Sequence, residues 1–558
     1  MFPSFRLAMS WLHTWFGLVL GYLLIVIFFF GSLSVFDREF DRWAIPDTRF
    51  AAQPLPSYDR MLAPIFARMT PEADELEAAR GRVKAPLPET LKPLNWSAYT
   101  THRDPVVGLY AEYAVPGNPD DPEDHVHGHV TVDPRNGRLL RDDQLKIGSE
   151  FFYPMHIGLH ITWKNLGYWI VGLAALVMLA ALVSGVVIHR HLFREFFTFR
   201  PQKHIQRSTL DLHNLTGVVA LPFHFFFALT GLTIFAAMYL PVSESMLKPQ
   251  ATAAAMAEAQ QKHLPYAAAG VPAPLASVDA MVSEAKRRWA AHDMAGEVGY
   301  LYISHPGDRN SYVTIYRGGS DRVALLGQAI HFEGTTGRVL YEEPQPSAVA
   351  KVNEFLTGLH LQQFEHWALR WFYLFGGLTG CACIATGFLF FVEKRKRKHA
   401  AQGHAGARWA DAMAVTTVTG MLVAALAILV ANRLLPEDLP LRGDWEKRTF
   451  WAAWLLSFAH AAWRCRPMRQ GLPSPAWFEQ CCIVATLAFA AVALNGVTTG
   501  DHLVKTLFIE RYWPVASVDL ALLAVGLLAA GVARRLRLRR SVPEVHVRTA
   551  NAEQAHAS

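Results

Sequence analysis

Two short stretches, Trp11-Leu12-His13-Thr14-Trp15 and Asp211-Leu212-His213-Asn214-Leu215, decide the organisation of this chain. Each opens a long apolar run, and each is followed two residues later by a glycine, Gly17 in one case and Gly217 in the other. The two histidines lie 200 positions apart, which predicts that one structural unit occurs twice.

Further blocks of sequence repeat at the same spacing. They are Gly31 with Gly231, Gly137-Arg138 with Gly337-Arg338, and Gly158-Leu159-His160 with Gly358-Leu359-His360. Ser184-Gly185 and Thr386-Gly387 also agree after a two-residue slip. The order of the blocks predicts a tandem repeat of span, outside domain and span. Both copies begin on the same side, so the repeats are parallel and related by a pseudo-twofold axis along the membrane normal.

The composition argues against a soluble multidomain protein. Of the 558 residues, 52% are hydrophobic and 18% are charged. The apolar residues gather in runs of about 20, the length of a helix that crosses a bilayer core. Eight candidate spans result, at 11–36, 163–189, 211–240, 367–392, 411–431, 449–463, 475–496 and 515–533. The predicted fold class is a polytopic α-helical membrane protein of about eight spans, in which the last four extend the repeat.

The net charge of +6 is distributed as a topology signal and not as a nucleic-acid surface. Basic residues cluster beside apolar runs, as short cytoplasmic loops do. The clusters are Arg190–Arg207, Lys394–Lys398, Arg464–Arg469 and Arg534–Arg540. With these clusters inside, both termini are cytoplasmic and the first span is retained, since it is longer than a signal peptide and has no small-residue cleavage site.

Two long segments, about 40–150 and 241–350, are then expected outside the membrane. His129–Leu140 contains alternating residues interrupted by Asn136-Gly137, and Ile330–Leu340 is interrupted similarly at Gly337. Both patterns predict strand, turn, strand. We expect a small α/β unit in each segment. None of the five cysteines lies in these segments, and Cys381 and Cys383 are interpreted as small core residues.

The repeat gives four histidines a common geometry. His13 and His213 begin their spans at the inner ends, and His160 and His360 lie at the outer ends. Across a twofold axis, equivalent imidazoles can face one another and ligate one haem iron from both sides. One pair near each membrane face predicts a two-haem path across the bilayer. The alternative is that these histidines hydrogen-bond between helices.

Three unmatched histidines are alternative ligands. His224 lies on the same helix face as His213, His156 lies one turn before His160, and His189 ends the second span. Arg370, near the outer end of the fourth span, is a candidate contact for a haem propionate, because guanidinium groups bind carboxylates in a bidentate manner.

The histidine stretches, together with Gly158-Leu159-His160 and Ala385-Thr386-Gly387, resemble the PepSY-associated transmembrane helix family over about residues 5–398. The strand–turn–strand pieces resemble PepSY modules between the helices. The resemblance implies the following division: first span 1–40, PepSY-like domain 41–155, spans two and three 156–240, second PepSY-like domain 241–355, fourth span 356–398, four-span region 399–540 and cytoplasmic tail 541–558.

The resemblance implies an iron-regulated protein of the bacterial inner membrane. Some family members are similar to ferric-siderophore reductases, which carry haem b between the helices and reduce ferric iron in the periplasm. It thus implies two haem b groups on His13, His213, His160 and His360, and a ferric siderophore as substrate. No G-x-G-x-x-G motif follows a predicted strand, so we expect electrons from a quinol or a separate membrane or cytoplasmic donor.

Two other functions compete with ferric reduction. Soluble PepSY modules resemble inhibitory segments of proteases, so the outer domains could instead regulate a periplasmic peptidase. Parallel repeats also occur in transporters, here of iron, haem or siderophore, although transporters usually contain broken helices. Pro222, beside His224, is the one break that we expect in the first 400 residues.

Overall fold

The fold is described from a computed structural model of the chain. It describes residues 4–84, 86–100, 104–118, 124–141, 143–189, 205–239, 267–319, 321–324, 328–344, 347–402, 404–465 and 473–541. Most of the first basic cluster, part of the third, the start of the second outside segment and nearly all of the predicted tail therefore lie outside the described residues. The chain divides into two compact units: Met1–Pro46, Leu145–Leu229 and Trp371–Ser558 form one, and Asp47–Gln144 and Thr230–Arg370 form the other.

The helices of the first two-thirds of the chain alternate with the strands. They are α1 (Phe5–Val19), α2 (Gly21–Ser34), α3 (Asp37–Ala44), α4 (Ala63–Phe66), α5 (Ala73–Arg82), α6 (Tyr153–Gly158), α7 (Leu166–Ile188), α8 (Ile205–Val219), α9 (Leu221–Ile234), α10 (Ala236–Tyr239), α11 (Val278–Ala291) and α12 (Ala348–Leu361). The remaining helices are α13 (Trp367–Ala401), α14 (Gly406–Val415), α15 (Met421–Leu434), α16 (Arg442–Arg464), α17 (Pro475–Thr499) and α18 (Trp513–Ser541).

The first and third predicted spans are both bent. The axes of α1 and α2 differ by 61°, and those of α8 and α9 differ by 63°. Pro222 explains the second bend, because a proline removes a backbone N–H and its ring clashes with the preceding turn. The first bend has no proline. It precedes Gly21, where an added Cβ would lie 2.9 Å from a ring carbon of Phe388. The expectation of a single break was therefore wrong.

Several helices are long and apolar enough to cross a membrane. Within the described residues there are five such helices, and seven if each bent pair counts as one span. The sixth predicted span, 449–463, lies in α16, which does not qualify. Its first turns carry Arg442, Asp444, Glu446, Lys447 and Arg448, and these charges lower its mean hydropathy. The described residues thus support five to seven spans and do not confirm the predicted number of eight.

The C-terminal helices pack on the helix that follows the first span. The Trp43 indole donates to Asp519 at 2.8 Å, and Asn495 donates to the other oxygen of the same carboxylate at 3.1 Å. Arg433 donates to the carbonyl of Ala44 and lies over the Trp43 ring at 4.9 Å. Trp43 and Asn495 are fully buried. Because buried polar groups are costly without partners, this network fixes α3 against α15, α17 and α18.

The second unit contains one antiparallel sheet of eight strands in the order β4-β3-β2-β1-β5-β6-β7-β8. The strands are β1 (Pro93–Tyr99), β2 (Val107–Ala114), β3 (His125–Val132), β4 (Leu139–Leu140), β5 (Val298–Ser304), β6 (Tyr312–Arg317), β7 (Ala329–Glu333) and β8 (Val339–Glu342). The first four strands come from one predicted outside segment and the last four from the other. They join where β1 pairs with β5. Leu109, Ile303 and Phe332 of the sheet pack with Trp289 of α11 in one core.

The two predicted strand–turn–strand elements are confirmed. Gly137 and Gly337 lie in the left-handed region with φ of 75° and 73°. Each donates its N–H to a carbonyl four residues earlier at 2.8 Å, Asp133 in one turn and Glu333 in the other. In the first turn, hydrogen bonds from Arg135 hold the pKa of the buried Asp133 below its usual value.

The two halves of the sheet unit also exchange helix caps. Ser57 and the Tyr58 N–H donate to Asp279, while Ser277 and the Val278 N–H donate to Asp59 at 2.6 and 3.0 Å. Asp279 thereby accepts from an N–H at the start of the helical segment that follows Ser57, and Asp59 from one at the start of the helix that follows Ser277. These N–H groups would otherwise lack partners.

Candidate functional site

A cavity of about 490 Å³ lies in the first unit, between the bent helices and the ends of α7 and α13. Its volume falls within the roughly 300–1,000 Å³ range of ligand sites in proteins. Four of the histidines considered above line it, namely His13, His189, His213 and His224. Both helices of each bent pair contribute residues to its lining.

His13 and His213 face one another in this cavity. Their ring centroids are 6.1 Å apart, and the ring planes make an angle of 78°. The predicted inner pair is thus brought together. Among the described residues, no group of three or more His, Cys, Asp or Glu side chains is arranged to hold a bare metal ion. Two facing imidazoles suit a metal that already has equatorial ligands of its own.

Both imidazoles are held in the same way. The Nδ1 of His13 contacts the Ala181 carbonyl at 2.9 Å, and that of His213 contacts the Cys383 carbonyl at 2.7 Å. A carbonyl only accepts hydrogen bonds, so each Nδ1 carries the proton and each Nε2 keeps its lone pair. Metal-ligating histidines commonly have this second-shell arrangement.

Each of these carbonyls accepts a second hydrogen bond from a hydroxyl three residues further on. Ser184 donates to the Ala181 carbonyl at 3.0 Å, and Thr386 donates to the Cys383 carbonyl at 2.9 Å. The Ser-Gly and Thr-Gly pairs that matched in sequence after a two-residue slip therefore make matching contacts around the two imidazoles.

Six glycines line the cavity. They are Gly17, Gly21, Gly185, Gly217, Gly380 and Gly387. A Cβ added at Gly185 would lie 3.4 Å from His13, and one added at Gly387 would lie 3.3 Å from His213. A Cβ added at Gly17 would meet no atom within 4 Å. Gly185 and Gly387 thus make room for the imidazoles themselves, whereas Gly17 leaves open space.

Cationic side chains line the same cavity. They are Arg6, Lys394 and Arg395, the last two at the start of the second basic cluster. Arg370, which was predicted to contact a propionate, belongs to the other unit. It is buried, and its guanidinium lies 5.4 Å from the centre of the Trp367 ring. Arg6, Lys394 and Arg395 are therefore the better candidates for an anionic ligand group in this cavity.

His224 is buried deeper in the first unit. Its Nε2 donates to the Gly376 carbonyl at 3.3 Å, and its ring lies edge-on to Phe28 at 5.5 Å. It lines the cavity with the matched pair, although a bend of 63° separates its helix α9 from the helix α8 that carries His213. His189 ends α7 and lines the cavity as well.

The outer histidines follow a different pattern from the sequence match. The Nδ1 of His156 contacts the Ile27 carbonyl at 2.9 Å, and a Cβ added at Gly31 would lie 2.7 Å from the same ring. In the other unit, His360 contacts the Thr230 hydroxyl at 2.8 Å, and a Cβ added at Gly231 would lie 3.1 Å from its ring. Because Gly31 and Gly231 are matched positions, His156 lies where the sequence match predicts His160.

His160 itself is engaged elsewhere. It lies beyond the end of α6 in the left-handed region, with φ of 55°. Its Nε2 donates to the Phe151 carbonyl at 2.9 Å, and its ring stacks on Phe151 with centroids 4.6 Å apart. These contacts are sufficient to explain a histidine at this turn without a cofactor.

Sequence reasoning missed the position of Cys383. Its sulfur lies 3.5 Å from the Nδ1 of His213 and 3.6 Å from the His213 carbonyl. Cys381 contacts the Ile25 carbonyl instead, at 3.8 Å. The available signal was the two-residue slip of the repeat, which pairs Cys383 with Ala181 and so places it one helical turn before the matched Thr386-Gly387.

Most of the residues that line this cavity lie in a part of the chain that matches known proteins. The family model of the PepSY-associated TM region matches residues 10–394. An uncharacterised protein of Pseudomonas aeruginosa is 26% identical over 403 residues, which cover 68% of this chain and 93% of that protein. The matched region contains both histidine stretches and both halves of the sheet, whereas α14 to α18 lie beyond the family model.

Proposed function

Since the chain belongs to the PepSY-associated TM region family, we propose that it is a haem-b electron-transfer protein of the bacterial inner membrane. In this proposal it reduces ferric iron, delivered as a ferric siderophore, on the periplasmic side during iron uptake. The observation that carries the proposal is the facing pair of His13 and His213, each oriented by a backbone carbonyl.

The spacing of this pair fits bis-histidine ligation. A metal–imidazole bond is about 2 Å and the ring centre lies about 1 Å beyond the nitrogen, so two rings on one metal have centres roughly 6 Å apart. The observed separation is 6.1 Å. The cavity of about 490 Å³ would admit the macrocycle, and Arg6, Lys394 and Arg395 would supply cations for its carboxylates.

The protein's own residues would fix and tune the site. Bound haem supplies a one-electron iron couple. Donation from Nδ1 to the Ala181 and Cys383 carbonyls holds each ring in one tautomer and strengthens the other nitrogen as a donor. The apolar side chains around the cavity, such as Leu18, Leu24 and Phe388, would exclude water and so influence the potential.

As the outer haem ligand of the first unit we propose His156, in the place first given to His160, and as that of the second unit we propose His360. Each of the two contacts a matched glycine, whereas His160 donates to the Phe151 carbonyl and stacks on that residue. A pair of haems would form a path for electrons from a quinol or another donor to the periplasm.

Ferric reduction suits the chemistry of siderophores. These chelators hold Fe(III) through hard oxygen donors, and Fe(II) binds such ligands less strongly. A single electron is therefore enough to weaken the complex. With the basic clusters in the cytoplasm, both termini would be cytoplasmic and both strand-rich segments periplasmic.

An absorption spectrum of the purified protein, expressed with adequate haem supply, tests the proposal. We expect sharp reduced bands of low-spin bis-histidine haem and about two haems per chain by the pyridine haemochromogen assay. Mixing the reduced protein with a ferric siderophore under anaerobic conditions should reoxidise the haem and produce ferrous iron, measured with a ferrous-specific chelator. Protein without haem would refute the proposal.

Transport of an iron compound is the second candidate, and the bent helices favour it. Transporters often bind substrates beside broken helices, and α1–α2 and α8–α9 are both broken around the cavity. Proteoliposomes loaded with a siderophore labelled in its organic part distinguish the two functions. Movement of the label across the membrane supports transport, whereas iron reduction without movement supports the reductase.

A further inference from the structure

The two imidazoles of the inner pair differ in one contact. The Nδ1 of His13 has the Ser184 hydroxyl as its second neighbour at 3.2 Å, in addition to the Ala181 carbonyl. The Nδ1 of His213 has the Cys383 sulfur at 3.5 Å, in addition to the Cys383 carbonyl. The rest of the arrangement is matched, so the sulfur distinguishes one side of the pair from the other.

We propose that Cys383 is a positioning residue that makes the two inner imidazoles electronically unequal. The inference rests on the proposed function, because it concerns imidazoles that would ligate haem iron. The position that matches Cys383 in the first copy is Ala181, which has no thiol. The proposed role therefore belongs to the second copy alone.

The thiol is held so that its sulfur faces the imidazole proton. The Cys383 S–H donates towards the His213 carbonyl, with the sulfur 3.6 Å from that oxygen. A sulfur lone pair is then available to the Nδ1 proton of the same residue. Sulfur is a weak acceptor, so the contact adds to the 2.7 Å hydrogen bond to the Cys383 carbonyl without replacing it.

The consequence follows from second-shell chemistry. An additional acceptor at Nδ1 increases the basicity of Nε2 and stabilises ferric relative to ferrous iron. Removal of the sulfur should therefore raise the midpoint potential of the inner haem. Addition of a thiol at Ala181 should lower it, because the His13 ring would gain a similar neighbour.

The chain supplies a matched control. Cys381 lies two residues earlier on the same helix, and its thiol contacts Ile25 and not a histidine. Cys383→Ala and Cys381→Ala thus remove the same atoms from neighbouring positions. Both variants should retain the haem content of the unmodified protein.

Spectroelectrochemical titration and low-temperature electron paramagnetic resonance test the inference on detergent-purified holoprotein. We expect Cys383→Ala to change the ferric-to-ferrous ratio of one haem at fixed potential by about threefold. This effect is small beside the roughly 10–100-fold loss of metal affinity or activity that follows removal of a full second-shell partner. Its ferric low-spin signal should also shift. Cys381→Ala should change neither property.

The possible outcomes distinguish failure of the proposed function from failure of the inference about Cys383. If the unmodified protein contains no haem, the proposed function fails. If it contains haem and Cys383→Ala behaves as Cys381→Ala does, the inference about the thiol fails and the function stands. Should Cys383→Ala lose haem, Ala181→Cys decides: a lowered potential of the inner haem supports the inference, and an unchanged potential overturns it.

Discussion

The inner and outer histidines of the two predicted copies teach different lessons. At the inner ends, His13 and His213 are 200 positions apart, lie against equivalent glycines and contact equivalent carbonyls, each of which also accepts a hydrogen bond from a hydroxyl. At the outer ends, the residues that contact the matched glycines are His156 and His360. Equivalent contacts are therefore maintained where the sequence spacing is not.

A difference in helix length explains the outer shift. α6 ends at Gly158 and α12 ends at Leu361, so the second helix extends three residues further than a constant spacing predicts. Both helices end in a left-handed residue, Leu159 and Gln362, with φ of 54° and 56°. His156 and His360 lie in the last turn of their helices, whereas His160 lies beyond the helix end.

Replacement of an inner histidine should have the largest effect. His13→Ala and His213→Ala each remove one of two facing imidazoles, and we expect each to lose the inner haem, about half of the total. Pyridine haemochromogen assay per mole of protein measures the loss. Unchanged haem content in both variants would show that His13 and His213 do not hold a haem.

Replacement of outer histidines should sharpen the comparison. We expect His156→Ala and His360→Ala each to lower the haem content and His160→Ala to leave it unchanged, because the His160 ring is already hydrogen-bonded to and stacked on Phe151. The same haem assay, with a redox titration, measures the result. Loss of haem in His160→Ala together with full retention in His156→Ala would restore the pairing first predicted from the sequence.

Filling the inner cavity should remove its haem without damaging the fold. Gly17 has open space where a side chain would project, so Gly17→Phe occupies the cavity and also replaces a residue that disfavours helix by about 1 kcal/mol. Gly531→Phe is the control, because this helical glycine has open space too. Absorption spectra and size-exclusion profiles should show loss of haem in the first variant alone, with both proteins monodisperse.

The hairpin turns offer a smaller comparison in which the copies should agree. Gly137→Ala and Gly337→Ala each force a side chain into the left-handed region, at a cost of about 1–2 kcal/mol. Thermal unfolding followed by strand-sensitive infrared absorption should show similar decreases for the two variants. A large decrease in only one would mean that the turns differ in their surroundings.

The weakest expected effect is a pH dependence confined to the first turn. Hydrogen bonds from Arg135 lower the pKa of Asp133 in the folded protein. The resulting stabilisation is present above the unfolded-state pKa of about 3.9 and is lost as the pH falls through the folded value. Asp133→Asn should reduce the change in unfolding temperature between pH 6 and pH 3. An unchanged slope would show that other carboxylates determine it.

The sequence predicted features that depend on nearby residues. The turns at Gly137 and Gly337 need a residue tolerant of positive φ, and this requirement is visible locally. The proximity of His13 and His213 could be predicted, because these two residues are separated by the same 200 positions as the other repeated blocks. The bend before Gly21 could not, since no proline marks it and Phe388, whose ring lies close to Gly21, is hundreds of residues away in the sequence.

Other features depend on pairings between distant segments. The pairing of β1 with β5 and the exchanged caps of Ser57 and Ser277 join the two predicted outside segments, and neither pattern is visible in one segment alone. The sixth predicted span, 449–463, was drawn from apolar residues alone, whereas α16 begins with charged turns that keep it from qualifying as a span. The sequence repeat, with its two-residue slip, pairs Cys383 with Ala181, but only the structure shows that the Cys383 sulfur lies beside His213.

The strand pairing at the centre of the sheet has a consequence for biosynthesis. β1 ends at Tyr99 and its partner β5 begins at Val298. At about 5–20 residues per second, the ribosome needs roughly 10–40 s to make the chain between them. During that interval the first four strands present β1 as an open edge, which can pair with another chain. The delay between the two halves is thus the period when assembly of this protein is most exposed to aggregation and most dependent on chaperones.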